Sequence, residues 1–135
     1  MEQDVDVDAD AIHEALWHHF GVREFLPAQE HCVRAALQGR DCVLVLPTGA
    51  GKSLCFQLPA AMSFGVTVVF SPLLALIQDQ VTQLNCEFGI PAAALTGVTS
   101  VAETRAIEVD LESANPSIKL LYSTPEKFAS SPRFR

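Results

Sequence analysis

The sequence predicts an α/β domain, a parallel sheet with helices on both faces, and three observations lead there. Short apolar runs such as Cys42-Val43-Leu44-Val45-Leu46 and Val66-Thr67-Val68-Val69-Phe70 have the length and β-branched content of strands buried on both sides. Amphipathic stretches of helical period alternate with these runs, as they do in βαβ units. The chain has 135 residues, is 49% hydrophobic and has a mean hydropathy of +0.24, which suits one domain with a real core.

The elements follow in order. Ala11 to Phe20 places Ile12, Ala15 and Leu16 at helical spacing, with Phe20 or His19 completing the stripe, and Gly21 ends it. Pro27 suits the first turn of a second helix, whose stripe is Cys32, Val33, Ala36 and Leu37 and whose stop is Gly39. Asp41–Leu46 reads as the first strand, and residues 52–64 as the next helix. Val66–Phe70 is the second strand, and Ser71-Pro72 turns the chain into a helix ending near Leu84. Ala92–Leu95 is a weak third strand. Ser100 and Glu103 have the spacing of a capping box that opens a helix to about Leu111. Ile118–Tyr122 is the fourth strand, and Thr124-Pro125-Glu126 starts a final turn.

Charge narrows the partners. The net charge is −7, but residues 1–10 hold five acids and no base, so subtracting those five leaves −2 for the body. Residues 1–10 therefore read as an acidic, solvated tail, and residues 11–135 as the domain. A body this close to neutral does not bind nucleic acid through its whole surface, so any such contact is local. No apolar run approaches the ~20 residues that span a bilayer, and the acidic N-terminus lacks a secretory pattern, so an intracellular protein without a membrane partner is expected. Cys32, Cys42, Cys55 and Cys86 show no paired C-x-x-C spacing, which reads as reduced thiols with no zinc site. His13, His18 and His19 lack acidic ligands at suitable spacing and read as a partly exposed helix face.

The chemistry concentrates in Pro47-Thr48-Gly49-Ala50-Gly51-Lys52-Ser53, which sits between the first strand and the helix opened by Leu54. Glycines let backbone N–H groups crowd around an anion, and a helix N-terminus adds a favourable dipole. In that context Thr48, Gly49, Ala50, Gly51, Lys52, Ser53 and Leu54 form a cradle for a nucleotide triphosphate. Lys52 reaches the β- and γ-phosphates as the catalytic cation, and the Ser53 hydroxyl ligates Mg²⁺, so ATP and Mg²⁺ are the expected cofactors. Leu46 occupies the position where the general pattern has its opening glycine.

Four ordered segments, including this turn, resemble the N-terminal part of the first motor lobe of RecQ-family DNA helicases, in superfamily 2. They are Phe20-Gly21-x-x-x-Phe25-x-x-x-Gln29; the turn continued as Leu54-Cys55-Phe56-Gln57-Leu58-Pro59-Ala60; Ser71-Pro72-Leu73-Leu74-Ala75-Leu76-Ile77-Gln78-Asp79-Gln80; and Leu121-Tyr122-Ser123-Thr124-Pro125-Glu126-Lys127. The similarity runs from about Trp17 to Phe128. It implies a RecA-like P-loop lobe, present here in part, belonging to an ATP-dependent 3′–5′ DNA helicase used in DNA repair and recombination, nuclear in a eukaryote. It assigns Gln29 to adenine, since one amide can pair with both N6 and N7. It assigns Ser71, Gln80 and Thr124 to the backbone of single-stranded DNA, which hydroxyls and amides contact without reading sequence. Ser71 and Thr124 also have the chemistry of caps for the helices that follow. Two positions depart from the family. Val22 stands where relatives often have an aromatic that stacks on the base, a contact worth about 1–3 kcal/mol, and Leu26 stands where many have Arg or Lys.

The resemblance also implies what these 135 residues do not supply. An Asp-Glu-x-His motif and a second lobe with transition-state arginines are needed for turnover, and such an arginine is worth about 10³–10⁵ in rate. The expectation is that residues 1–135 alone neither unwind DNA nor hydrolyse ATP steadily, and that strand edges normally covered by later strands are left open. A stand-alone protein that binds nucleotide or a partner without catalysis is the alternative. A small P-loop kinase is a weaker one, because no arginine-rich lid is visible.

Overall fold

The computed structural model describes residues 8–47 and 51–131. The chain divides into two compact units, with the boundary between Ser63 and Phe64.

The first unit is helical. α1 spans Ala9–Phe20, α2 Pro27–Leu37 and α3 Leu54–Met62. The Asp8 carboxylate accepts from Asp10 N–H to start α1, and Gly21, at φ +65°, stops it by donating its N–H to the Trp17 carbonyl. Ile12, Leu16, Val33 and Leu58 form the core of this unit, each with no exposed surface. Phe20, Phe25, Leu37 and Met62 pack around them. Burying four aliphatic side chains this completely is worth about 1.5–3 kcal/mol each.

The second unit is a three-stranded parallel sheet with helical crossovers. β1 is Thr67–Phe70, α4 Leu74–Cys86, β2 Ala92–Leu95, α5 Val101–Glu112, β3 Leu120–Ser123 and α6 Pro125–Ala129. The strand order is β1-β3-β2, with Thr67 and Ala92 both in register with Leu120. β3 is therefore central, and all four of its residues are buried. Leu95, Ile107 and Leu121 form a core between sheet and helix. The capping box holds in both halves, as Glu103 N–H donates to Ser100 Oγ and Ser100 N–H to the Glu103 carboxylate. An Asn85 side chain does the work of a further strand partner at the start of β2. It accepts from Ala92 N–H and donates to Ala92 C=O, each at 2.9 Å.

The α/β class and the parallel sheet are as expected, while one element is not. Asp41–Leu46 forms no strand. A strand exists by its ladder, and no other described segment pairs with this one. Leu44 and Leu46 are half-buried while Val43 and Val45 are 92% and 87% exposed, which preserves the two-residue alternation of extended chain without a sheet around it. β1 shows a related departure: Val68 and Phe70 on one of its faces are exposed, so this edge strand is covered on one side only among the described residues.

Candidate functional site

Of the residues assigned to the phosphate cradle, Thr48, Gly49 and Ala50 lie outside the described residues. The exit of the turn is described. Gly51 has φ +77°, a region that costs an L-residue about 1–2 kcal/mol. A Cβ there would collide with the Gln29 side-chain nitrogen. Both reasons favour glycine at this position, since any other residue would be strained and would push the Gln29 amide off the Gly51 carbonyl. Lys52 follows and is exposed; Ser53 is half-buried and forms the N-cap of α3, its carbonyl accepting from Gln57 N–H at 3.0 Å. Leu54 opens α3 and packs against the helical core.

Gln29 is only 6% exposed, and its amide is engaged at both ends. Its Oε1 accepts from Leu26 N–H at 2.9 Å, tying down the first turn of α2, where Leu26 itself has no polar side chain to cap with. Its Nε2 donates to the Gly51 carbonyl at 3.1 Å. The residue assigned to adenine is thus joined to Gly51, at the exit of the turn assigned to phosphate, a link across 22 positions that sequence alone did not disclose. A neutral amide can accept at its oxygen and donate at its nitrogen, as this geometry needs. The two family departures, Val22 and Leu26, are both exposed. Nearby Arg23 lies over the Trp17 ring at 4.5 Å, a cation–π contact on the same surface.

In the second unit, Ser71 and Thr124 directly follow β1 and β3, whose last residues, Phe70 and Ser123, are in register. Both therefore stand at the carboxyl ends of adjacent parallel strands, the end at which open α/β sheets bind ligands. Ser71 N–H donates to the Ser123 carbonyl at 3.0 Å, joining the two ends. Thr124 Oγ1 caps α6 by accepting from Lys127 N–H, whereas Ser71 Oγ accepts from Leu73 N–H in a turn ahead of α4, whose N-cap Leu73 has no side-chain bond. A capping hydroxyl uses a lone pair and retains its own hydrogen to donate. Gln80, on α4, accepts from the Tyr122 hydroxyl at 2.8 Å. Tyr122 was not singled out as a site residue, and its signal was a phenol inside the apolar run Leu120-Leu121-Tyr122, which needs a partner when buried. Phe70 and Phe128 meet edge to face at 5.0 Å beside these strand ends. A separate cleft of about 420 Å³ between α4, β2 and α5 is lined by Thr96, Thr99, Glu103 and Ile107 among others, with no cation, and so does not suit phosphate.

Known proteins share this arrangement of segments. A family model described as "DEAD/DEAH box helicase" matches residues 26–133. The chain belongs to the DEAD/DEAH box helicase family. Within that helicase family its relatives are RecQ-like. It is 47% identical over 122 residues to the "RecQ-like DNA helicase blm-1" of Caenorhabditis elegans, covering 90% of this chain and 12% of that protein. It is 49% identical over 114 residues to the "RecQ-like DNA helicase BLM" of Xenopus laevis, covering 84% and 8%. A "Putative ATP-dependent DNA helicase Q1" of Caenorhabditis briggsae is 39% identical, covering 98% and 21%. Among solved structures, a "DUF1998 helicase MrfA bound to DNA" superposes with a TM-score of 0.69 at 25% identity, over 97% of this chain and 18% of that one. The chain thus spans about a tenth to a fifth of the length of these relatives.

No described helix is long and apolar enough to cross a membrane.

Proposed function

We propose that this chain is the N-terminal, ATP-binding part of a RecQ-type 3′–5′ DNA helicase, with residues 1–10 an acidic tail and residues 11–135 part of the first motor lobe. The observation that carries the proposal is the Gln29 amide on the Gly51 carbonyl. It couples the segment assigned to adenine to the turn assigned to phosphates, as one nucleotide site requires.

The residues fit ATP and Mg²⁺ by their donor chemistry. Lys52 supplies an exposed ammonium for the β- and γ-phosphates, and Ser53 a hydroxyl for the metal at the N-terminus of α3. Thr48, Gly49, Ala50, Gly51 and Leu54 contribute backbone N–H groups. Mg²⁺ when bound neutralises charge developing on the phosphates. Gln29 orients the turn and offers its remaining amide hydrogen to the base. Val22 and Leu26 cannot stack or add a cation, so Gln29 is the base contact that remains and selectivity for adenine is weakened. Ser71, Thr124 and Gln80 position the phosphates of single-stranded DNA, without sequence preference. The work is done where DNA is, inside the cell, and in the nucleus of a eukaryote; repair and recombination follow from the RecQ likeness.

The test is titration of the intact protein with a fluorescent ATP analogue in Mg²⁺. Lys52→Ala removes a charged hydrogen bond worth about 1.5–3 kcal/mol and should weaken binding about 10- to 100-fold. Unchanged affinity would overturn the site. The non-catalytic reading remains as the second, and affinity for nucleotide without any for single-stranded DNA would select it.

A further inference from the structure

The helical unit carries a cleft of about 360 Å³ walled by His13, Glu14 and Trp17 of α1 and by Arg23 of the loop that follows. That volume lies within the ~300–1,000 Å³ usual for small-molecule sites. Trp17 leaves half of its surface exposed, and the Arg23 guanidinium lies over its ring at 4.5 Å. Among the described residues Arg23 forms no ion pair, so no carboxylate occupies its outer face. His13 donates from Nδ1 to the Ala9 carbonyl at 2.9 Å, since a carbonyl can only accept. In the neutral ring that leaves Nε2 an acceptor, and the Glu14 carboxylate beside it accepts as well. The loop of residues 21–26 joins this cleft to Gln29. Phe25 meets the His13 ring edge to face at 5.4 Å, and Leu26, the next residue, donates its N–H to Gln29 Oε1.

We propose that this cleft seats the base of the nucleotide: Arg23, backed by Trp17, stacks on adenine, and Glu14 receives its 6-amino group. The inference deepens the nucleotide reading above and rests on it. A planar guanidinium held on an indole presents its second face to another π-system, as a compact ammonium does not. Val22 and Leu26 supply neither the stacking ring nor the cation of the family motif. Trp17 and Arg23 bring both from positions outside that motif, at the two ends of the α1 stop that Gly21 makes.

The rim of the cleft sets the choice of base. Adenine carries an amino donor at C6, where guanine and hypoxanthine carry an oxygen acceptor. His13 Nε2 and the Glu14 carboxylate are acceptors, so they pair with the first and repel the second. Gln29 keeps its place in this arrangement, because one Nε2 hydrogen holds the Gly51 carbonyl and the other is available to a ring nitrogen. The base contact and Lys52, which directly follows Gly51, are thereby linked through one side chain. Arg23 and Glu14 are both exposed and outside the aliphatic core, so each can be replaced without opening it.

The experiment is calorimetric titration of the intact protein in Mg²⁺ with three ligands: ATP, inosine triphosphate, whose base carries oxygen at C6, and tripolyphosphate, which has no base. ATP should bind more tightly than the other two. Arg23→Ala should weaken ATP about 5- to 100-fold, the range for loss of a stacked base, and leave tripolyphosphate unchanged. Arg23→Lys should recover little of that loss, because an ammonium does not stack. Full recovery in Arg23→Lys, or an equal loss with tripolyphosphate, would place the charge on a phosphate and overturn the base site. Glu14→Gln should narrow the preference for ATP over inosine triphosphate, since an amide can donate to the C6 oxygen. An unchanged preference overturns the part given to Glu14. Equal affinities for ATP and tripolyphosphate in the unaltered protein overturn the base site and leave the phosphate reading standing. Binding of none of the three removes the nucleotide reading itself, and the base site with it.

Discussion

From Ala9 to Met62 the described chain depends on side-chain links: one glutamine caps α2 and holds the Gly51 carbonyl, and four aliphatic residues supply the core. From Thr67 to Ser123 it depends on a backbone ladder, with β3 paired on both edges and side chains needed chiefly at the ends. The first arrangement concentrates stability in a few atoms, next to Lys52 and Ser53. The second spreads it over repeated hydrogen bonds. A site that must rearrange around a ligand belongs on the first kind, and a surface that needs only to be held in place belongs on the second.

The largest effects should come from the two cores, and they test whether the units differ in packing at all. Leu58→Ala in the helical cluster and Leu121→Ala in the sheet each delete a side chain with 2% or less of its surface exposed. Each should cost about 2–5 kcal/mol, read as a lower urea midpoint at unchanged slope. Similar costs would place the difference between the units in their polar links. A loss below about 1 kcal/mol for Leu58→Ala would mean that the helical cluster is no core.

The glutamine link comes next. Gln29→Ala leaves Leu26 N–H and the Gly51 carbonyl without these partners and should cost about 1–3 kcal/mol. Gln29→Glu separates the two roles. A carboxylate still accepts from Leu26 N–H, yet it cannot donate to the Gly51 carbonyl and repels it. Nucleotide affinity should therefore fall in both variants, whereas α2 should be weakened mainly in Gln29→Ala. Full affinity in Gln29→Glu would show that the bond to Gly51 does not organise the turn.

Local signals were read well, and non-local ones were not. The Ser100–Glu103 capping box, Pro27 at the head of α2 and the Gly21 stop all stand where residue chemistry puts them, because each depends on neighbours within a few positions. Asp41–Leu46 has strand composition but no ladder, since pairing depends on a distant segment that composition does not reveal. The same distinction holds at the site. Lys52 and Ser53 were assigned from the glycine turn, and Ser71 and Thr124 from the family resemblance, and their roles stand as proposals. The Gln29–Gly51 and Tyr122–Gln80 bonds span 22 and 42 positions and needed the fold.

Acid should expose the contrast between the units by a smaller, graded effect. His19, in the last turn of α1, has its pKa lowered from 6.5 by burial and then by the neighbouring His18 charge, against the pull of the helix C-terminus. The folded state thus prefers the neutral ring, and between the lowered value and 6.5 the unfolded chain holds more protons. Stability is complete above about 6.5 and is lost as pH falls through that window. Asp110 behaves as an acid with a lowered pKa, held down chiefly by the Ser117 hydroxyl and then by Ile118 N–H. Its contribution is complete above 3.8 and is lost as pH falls through the lower, folded value. Denaturant midpoints taken across pH should therefore fall in two stages, the first removed by His19→Gln in the helical unit and the second reduced by Ser117→Ala in the sheet unit. A first stage that persists in His19→Gln would assign it to another group and remove the histidine from the account.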